Sequence, residues 1–130
     1  MGTISSLGIS ASALAAQRTR LDVIARNIAN AEVTRTPQGG PYIRQQVVFR
    51  ALPEGGVEVA EVQPDPTPPR RVYDPGHPDA DVDGYVSYPN VNMVEEMVDL
   101  MMATRAYEAN VTAMQATKNM LHKAMELGRA

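Results

Sequence analysis

The chain has 130 residues, 15 acidic against 12 basic side chains, no cysteine and no tryptophan. The length suits one domain with a modest core. The slight acidity and scattered arginines exclude a phosphate-neutralising stripe, and the missing thiols exclude disulfides and thiolate metal sites. An absence of thiols also fits an oxidising compartment. With one phenylalanine, Phe49, there is little aromatic surface for a small-molecule pocket.

The first segment does not read as a secretory signal. Its first charge is Arg18, and Ser5, Ser6, Gly8, Ser10 and Ser12 interrupt any apolar run. No stretch of about 20 apolar residues offers a membrane span. From about Ser10 to Asn30 the pattern is helical. Leu7, Leu14, Leu21 and Ile28 recur every seven residues, with Ile24 and Ala31 between them, as in a coiled-coil seam. Arg18, Asp22 and Arg26 lie four apart on the other face, where they are expected to pair. Ala11 to Ala16 gives a thin helix that neighbours can approach closely.

After Asn30 the periodicity stops. Thr36-Pro37-Gln38-Gly39-Gly40-Pro41 has loop chemistry. Tyr42 to Leu52 and Val57 to Val62 read as two strands of a hairpin around Pro53-Glu54-Gly55-Gly56, although Val62 falls out of phase with Val57 and Val59. Pro64 to Arg71, with four prolines, reads as extended and partly polyproline-like. Pro75-Gly76-His77-Pro78 is a rigid turn, and Tyr85 to Tyr88 a short strand.

The last helix is expected from Met93 to Leu127. Asn92 caps it, Glu95 completes a capping-box-like pair, and Gly128 serves as a C-cap. Acidic residues at its start and Lys118, Lys123 and Arg129 near its end suit the helix dipole. Its seam reads as Met93, Met97, Leu100, Tyr107, Val111, Met114, Leu121 and Met125. In its first half Met93, Val94, Met97, Val98, Leu100, Met101 and Met102 cover roughly 200° of the circumference, leaving Glu95, Glu96 and Asp99 the narrow remainder. One short partner helix cannot cover that arc, so further neighbours are expected.

Asp79, Asp81, Asp83 and Gly84 resemble the start of a calcium loop. The twelfth position is Asn90 rather than a glutamate, however, and Pro78 precludes the entering helix, so the stretch reads as a polar turn with aspartates on backbone groups. Met93, Met97 and Met101 have the spacing of a thioether copper site but read as packing residues. His77 and His122 lack a spaced partner. No nucleophile, base and orienting group converge, so no enzyme, metal or cofactor is expected. Asn27 and Asn30 admit two readings. Either Asn27 is exposed and Asn30 ends the helix, or both bond to backbone at a defined helix exit or subunit contact.

Asn27-Ile28-Ala29-Asn30, followed by Thr34 and Tyr42, resembles the signature of bacterial flagellar rod and hook proteins. The insertion of Arg35 to Pro41 after the threonine is similar to that of a proximal-rod member. So are Ser5 to Ser12, Tyr73 to Asp81, Gly84 to Val86, Tyr88 to Asn92 and Arg105 to Asn110. This resemblance covers nearly the whole chain. It implies a structural subunit of the basal-body rod, the drive shaft crossing the periplasm, exported by the flagellar type III apparatus without a cleaved signal. The implied partners are other copies of itself, the rod proteins FlgB, FlgF and FlgG, FliE, and the MS-ring protein FliF.

The expected fold is mainly α. Residues 1–30 and 91–130 form an antiparallel, coiled-coil-like rod core, and residues 31–90 form a β and loop region, with a hairpin and a Pro-rich strap, that makes lateral contacts. The expected assembly residues are Leu7, Leu14, Leu21, Ile24, Asn27, Ile28 and Asn30 in the first helix, with Met93, Met97, Leu100, Met101, Tyr107, Val111, Met114 and Leu121 in the last. The competing expectation is a stand-alone coiled-coil adaptor with the Pro-rich stretch as its ligand.

Overall fold

Two helices, α1 (Gly2–Ala29) and α2 (Met93–Arg129), pack against each other, and the chain between them forms two small sheets. The structure, a computed structural model, describes residues 2–129, with side chains from Ser6 onward. Strands β1 (Gln45–Ala51) and β2 (Val57–Pro64) pair antiparallel, as do β3 (Arg70–Tyr73) and β4 (Tyr85–Tyr88). The strands therefore pair within the chain. The exit of α1 and the entry of α2 lie at one end of the pair, both tied to the start of β1, so the helices run antiparallel.

α1 starts at Gly2, ahead of the expected Ser10. The serines do not break it: the Ser12 hydroxyl donates to the Ile9 carbonyl at 2.7 Å, within the helix. Arg18, Asp22 and Arg26 form no ion pair with one another, contrary to expectation. Each instead projects from the helix into solvent, where such a pair stabilises little. α2 is capped by Asn92, whose Oδ1 accepts the amides of Val94 at 3.0 Å and Glu95 at 3.3 Å. It runs through Gly128, which keeps a helical backbone and is not a C-cap.

The facing row on α2 differs from the expected seam. Glu96, Leu100, Ala103, Tyr107, Asn110, Met114, Thr117 and Leu121 are buried or half-buried at alternating spacings of four and three, whereas Met93, Met97 and Met125 are exposed. Two forces set this rotation. Ala103, fully buried, lets α1 approach closely, and Glu96 is drawn inward by Arg44. Glu96, expected on the narrow polar face, is fully buried. With 37 residues against 28, α2 outreaches α1 by about 13 Å, and every residue from His122 to Arg129 is exposed.

A bulge explains the odd phase of Val62. Val48 pairs with Glu61 but Phe49 pairs with Val59, leaving Ala60 as the extra residue. That puts Val57, Val59 and Val62 on one face, opposite Ala51, Phe49 and Val47. The hairpin lies on α1, where the Val57 amide donates to Ser12 Oγ at 3.1 Å. Gly56, at φ +103°, sits against this serine, and a Cβ there would come within 2.6 Å of its hydroxyl.

β3, not expected from the sequence, emerges from the Pro-rich stretch at Arg70. Arg70 lies over the Tyr88 ring and Arg71 over the Tyr85 ring, each at 5.0 Å, and Tyr73 meets Tyr85 edge-on at 5.3 Å. Gly84, at φ +86°, makes room for Tyr73, which a Cβ would approach to 2.8 Å. The buried apolar residues, Ala16, Val23, Ile24, Ala31, Val86, Val91 and Ala103, gather mostly where the two helices and the sheets meet.

Candidate assembly surface

The junction at the base of the helix pair is a polar network built on asparagine, tyrosine, arginine and carboxylate side chains. Asn27, 1% exposed, uses its amide as a substitute strand partner for Gln45. Its Nδ2 donates to the Gln45 carbonyl at 2.8 Å, and its Oδ1 accepts the Gln45 amide at 3.0 Å and the Tyr42 hydroxyl at 2.7 Å. Burial raises the Tyr42 phenol above its ordinary pKa, against the pull of Arg26. Asn30 Nδ2 donates to the Arg26 carbonyl at 2.7 Å. Both asparagines thus bond to backbone at a defined helix exit, and Asn27 is not exposed.

Arg44 continues the network. Its guanidinium bonds the Glu96 carboxylate through Nε and Asp65 at 2.9 Å, with Asp99 at 3.8 Å. Desolvation opposes the Arg44 charge, but Glu96 and then Asp65 outweigh it, and its pKa lies above the ordinary value. The Arg44 amide donates to Asn90 Oδ1 at 2.8 Å, and Asn90 Nδ2 donates to the carbonyls of Asp65 at 3.3 Å and Thr67 at 2.9 Å. One arginine thereby joins the hairpin, the Pro-rich strap and the first turn of α2. Arg44, Asp65, Asn90, Glu96 and Ala103 were absent from the expected site. The signal for two of them was register: Gln45 pairs with Pro64, which sets Arg44 opposite Asp65.

Of the expected assembly residues, Ile24 and Asn27 are buried, and Leu7, Leu14, Leu21, Ile28, Asn30, Leu100, Tyr107, Val111, Met114 and Leu121 are half-buried. Met93, Met97 and Met101 stand apart on the outside of α2 at 41%, 51% and 58% exposure. Val94, Val98 and Met102 extend this patch, and Met120, Met125 and Leu127 add apolar surface toward the far end. Contiguous exposed apolar surface on a water-facing helix marks an interaction site.

Other surfaces carry less chemistry. A groove of about 320 Å³ beside the junction is lined by Arg20, Val23, Ile24, Asn27, Arg44, Gln45, Gln46, Val47, Phe49 and Asp99, with no hydroxyl, thiol or imidazole among them. Asp81 Oδ1 accepts the amides of Asp83 and Tyr85 at 2.9 Å each, and its Oδ2 pairs with Arg71 at 2.5 Å. These bonds, Tyr85's first, hold its carboxyl below the ordinary pKa. Asp79 holds the loop after α1, accepting Thr34 Oγ1 at 2.6 Å and pairing with Arg35 at 3.1 Å. Among the described residues no helix is long and apolar enough to cross a membrane.

Both helical segments match family models. Residues 7–35 match one described as "Flagella basal body rod protein", and residues 82–127 match "Flagellar basal body rod FlgEFG protein C-terminal". Three relatives called "Flagellar basal-body rod protein FlgC" are similar along their whole lengths. The Salmonella typhimurium protein is 46% identical, covering 99% of this chain and 100% of its own. The Bacillus subtilis protein is 44% identical over the same shares, and the Borreliella burgdorferi protein 44% identical over 98% of each. Agreement of this extent, running through α1, both sheets and α2 alike, makes the chain a member of the FlgC family of flagellar basal-body rod proteins.

Proposed function

We infer that the chain is a structural subunit of the flagellar basal-body rod, assembling with other subunits into the helical shaft that transmits motor torque. Family membership gives the reading, and one physical observation carries it. The accessible surface is 8802 Å² for 14.1 kDa, against about 6,700 Å² for a compact monomer of that mass. The excess is on the scale of a standard protein interface, about 1,200–2,000 Å². Among the described residues, nine of the sixteen exposed large apolar side chains lie on α2.

In this reading the paired helices form the inner wall, and their free faces bind helices of neighbouring subunits. Residues 31–90 lie outside and make lateral contacts. A heterologous contact that does not close generates a helical shaft. The neighbours are other copies of the chain, FlgB, FlgF, FlgG, FliE and the MS-ring protein FliF, and export runs through the flagellar type III apparatus. A stand-alone adaptor is not favoured, because Asn90 ties down the carbonyls of Asp65 and Thr67 in the Pro-rich strap that would serve as its ligand.

The test is Met97→Asp in cells lacking the native copy. The purified variant should keep wild-type circular dichroism, since Met97 is 51% exposed, yet basal bodies should lack rods and cells should not swim. Motile cells with intact rods would sink the reading. Hydrogen exchange on dilute monomer should show weak protection toward the free ends of both helices.

A further inference from the structure

We propose that the outer face of α2 receives α1 of a second copy of this chain, antiparallel and in one defined register. The proposal rests on the rod-subunit reading and names the neighbour of one of its faces. α1 has a third face that neither α2 nor the hairpin covers: Ala11, Ala15, Arg18, Asp22, Ala25 and Ala29, all exposed, at alternating spacings of four and three, with Ala15 at the edge of the groove between α1 and the hairpin. On α2 the row pointing away from α1 is Val94, Val98, Met101, Arg105 and Glu108, with the same spacing and all exposed. Equal spacing lets the rows lie along each other as a coiled-coil seam.

Charge fixes direction and register. Among the described residues, Arg18, Asp22, Arg105 and Glu108 have no ion-pair partner. Laid antiparallel, Arg18 meets Glu108 and Asp22 meets Arg105. Laid parallel with the charged residues side by side, Arg18 meets Arg105 and Asp22 meets Glu108, which is repulsive; laid parallel over the same stretch, Arg18 and Asp22 fall on Val94 and Val98 with no countercharge. The antiparallel register also sets Ala25 against Met101 and Ala29 against Val98, small residues opposite large ones. Flexible methionine fills the space that alanine leaves.

Antiparallel is also what a copy pointing the same way presents, because α1 and α2 are antiparallel within each chain. At about 100° per residue, the row of α2 that faces its own α1 and the outer row lie about 160° apart. A closed ring of four helices needs about 90° at every helix, so two copies cannot satisfy both faces of each other. The contact stays open and passes on to a third copy.

Because the chain has no cysteine, the register can be read by cross-linking in isolated basal bodies. Ala25→Cys with Met101→Cys should give a ladder of disulfide-linked multimers on oxidation. Ala11→Cys with Met101→Cys, displaced by about 21 Å along the helix, should give none. Should the double variant fail to enter rods, the two single variants, co-expressed, report the same contact as a disulfide-linked dimer. Glu108→Arg should cut the ladder yield about tenfold, and adding Arg18→Glu should restore it. A chain present in rods that gives no ladder, gives one in both registers, or is not rescued by the double reversal overturns the proposal and leaves the rod reading intact. Absence of the unmodified chain from basal bodies overturns both.

Discussion

The two ends of the helix pair differ in how they are satisfied. At the junction, Asn27, Arg44 and Glu96 lie among Val23, Ile24, Ala31, Val86 and Val91, and long-range hydrogen bonds join α1, β1, the strap and α2. Beyond Ala103, α2 has no fully buried residue, and past Leu121 it stands clear of α1. The junction has the dense hydrogen bonding of a finished domain, with Glu96 Oε2 the buried side-chain atom left without a partner among the described residues. The far end carries an apolar overhang, Met120, Met125 and Leu127, while the wider open apolar surface, Met93 to Met102, lies on the outside of α2 at the junction end. A subunit made this way can hold its middle in shape while its ends wait for neighbours, and stability should be concentrated accordingly.

The largest effect should come from Arg44→Ala. It leaves the Glu96 carboxylate buried beside Asp65 with no cation, a change that costs about 3 kcal/mol or more. Urea unfolding followed by circular dichroism should show the loss. If the midpoint hardly moves, the junction is not what holds the monomer together. Asn27→Ala removes three bonds and strands the Gln45 backbone groups, so about 2 kcal/mol is expected in the same assay.

The difference between the ends also explains what was legible in the sequence. Both helices, the hairpin and Asn92 as a cap were visible because they rest on local patterns. Glu96 was not, because its burial depends on an arginine 52 positions away. As a result the seam of α2 was placed over Met93 and Met97, where a hydrophobicity count centres it, and not over Glu96 and Ala103. β3 was hidden because Arg70 and Arg71 follow four prolines, and what makes them a strand is the tyrosines of β4. The phase error at Val62 was a clue to the bulge, and hence to the register that brings Arg44 opposite Asp65.

A smaller effect, confined to acid, should come from Asp65. The Thr67 amide first, and Arg44 after it, hold its carboxyl below the ordinary 3.8. A carboxyl depressed in the folded state contributes its full stability above 3.8 and loses it as pH falls through the lower folded value. Asp65→Asn keeps an oxygen for Thr67 but removes the charge. The variant should be less stable than the wild type at neutral pH, and the gap should close as pH drops below 3.8. A gap that persists at pH 2 would mean that the amide geometry at Thr67, not the charge, holds the strap.

The smallest effect on the monomer should come from the overhanging end, where it is most informative. Leu127, 78% exposed, touches little in the free chain, and Leu127→Ser should change unfolding by less than about 0.5 kcal/mol. If that surface is covered in the rod, the same substitution should weaken incorporation into basal bodies, measured as the ratio of this chain to the ring proteins. The two readouts separate because burial of Leu127 belongs to the assembly and not to the fold. A variant that loses monomer stability but enters rods normally would reverse the assignment and show that the end of α2 folds back on its own chain. Equal insensitivity in both assays would confine the neighbour contacts to the methionine-rich first half of α2.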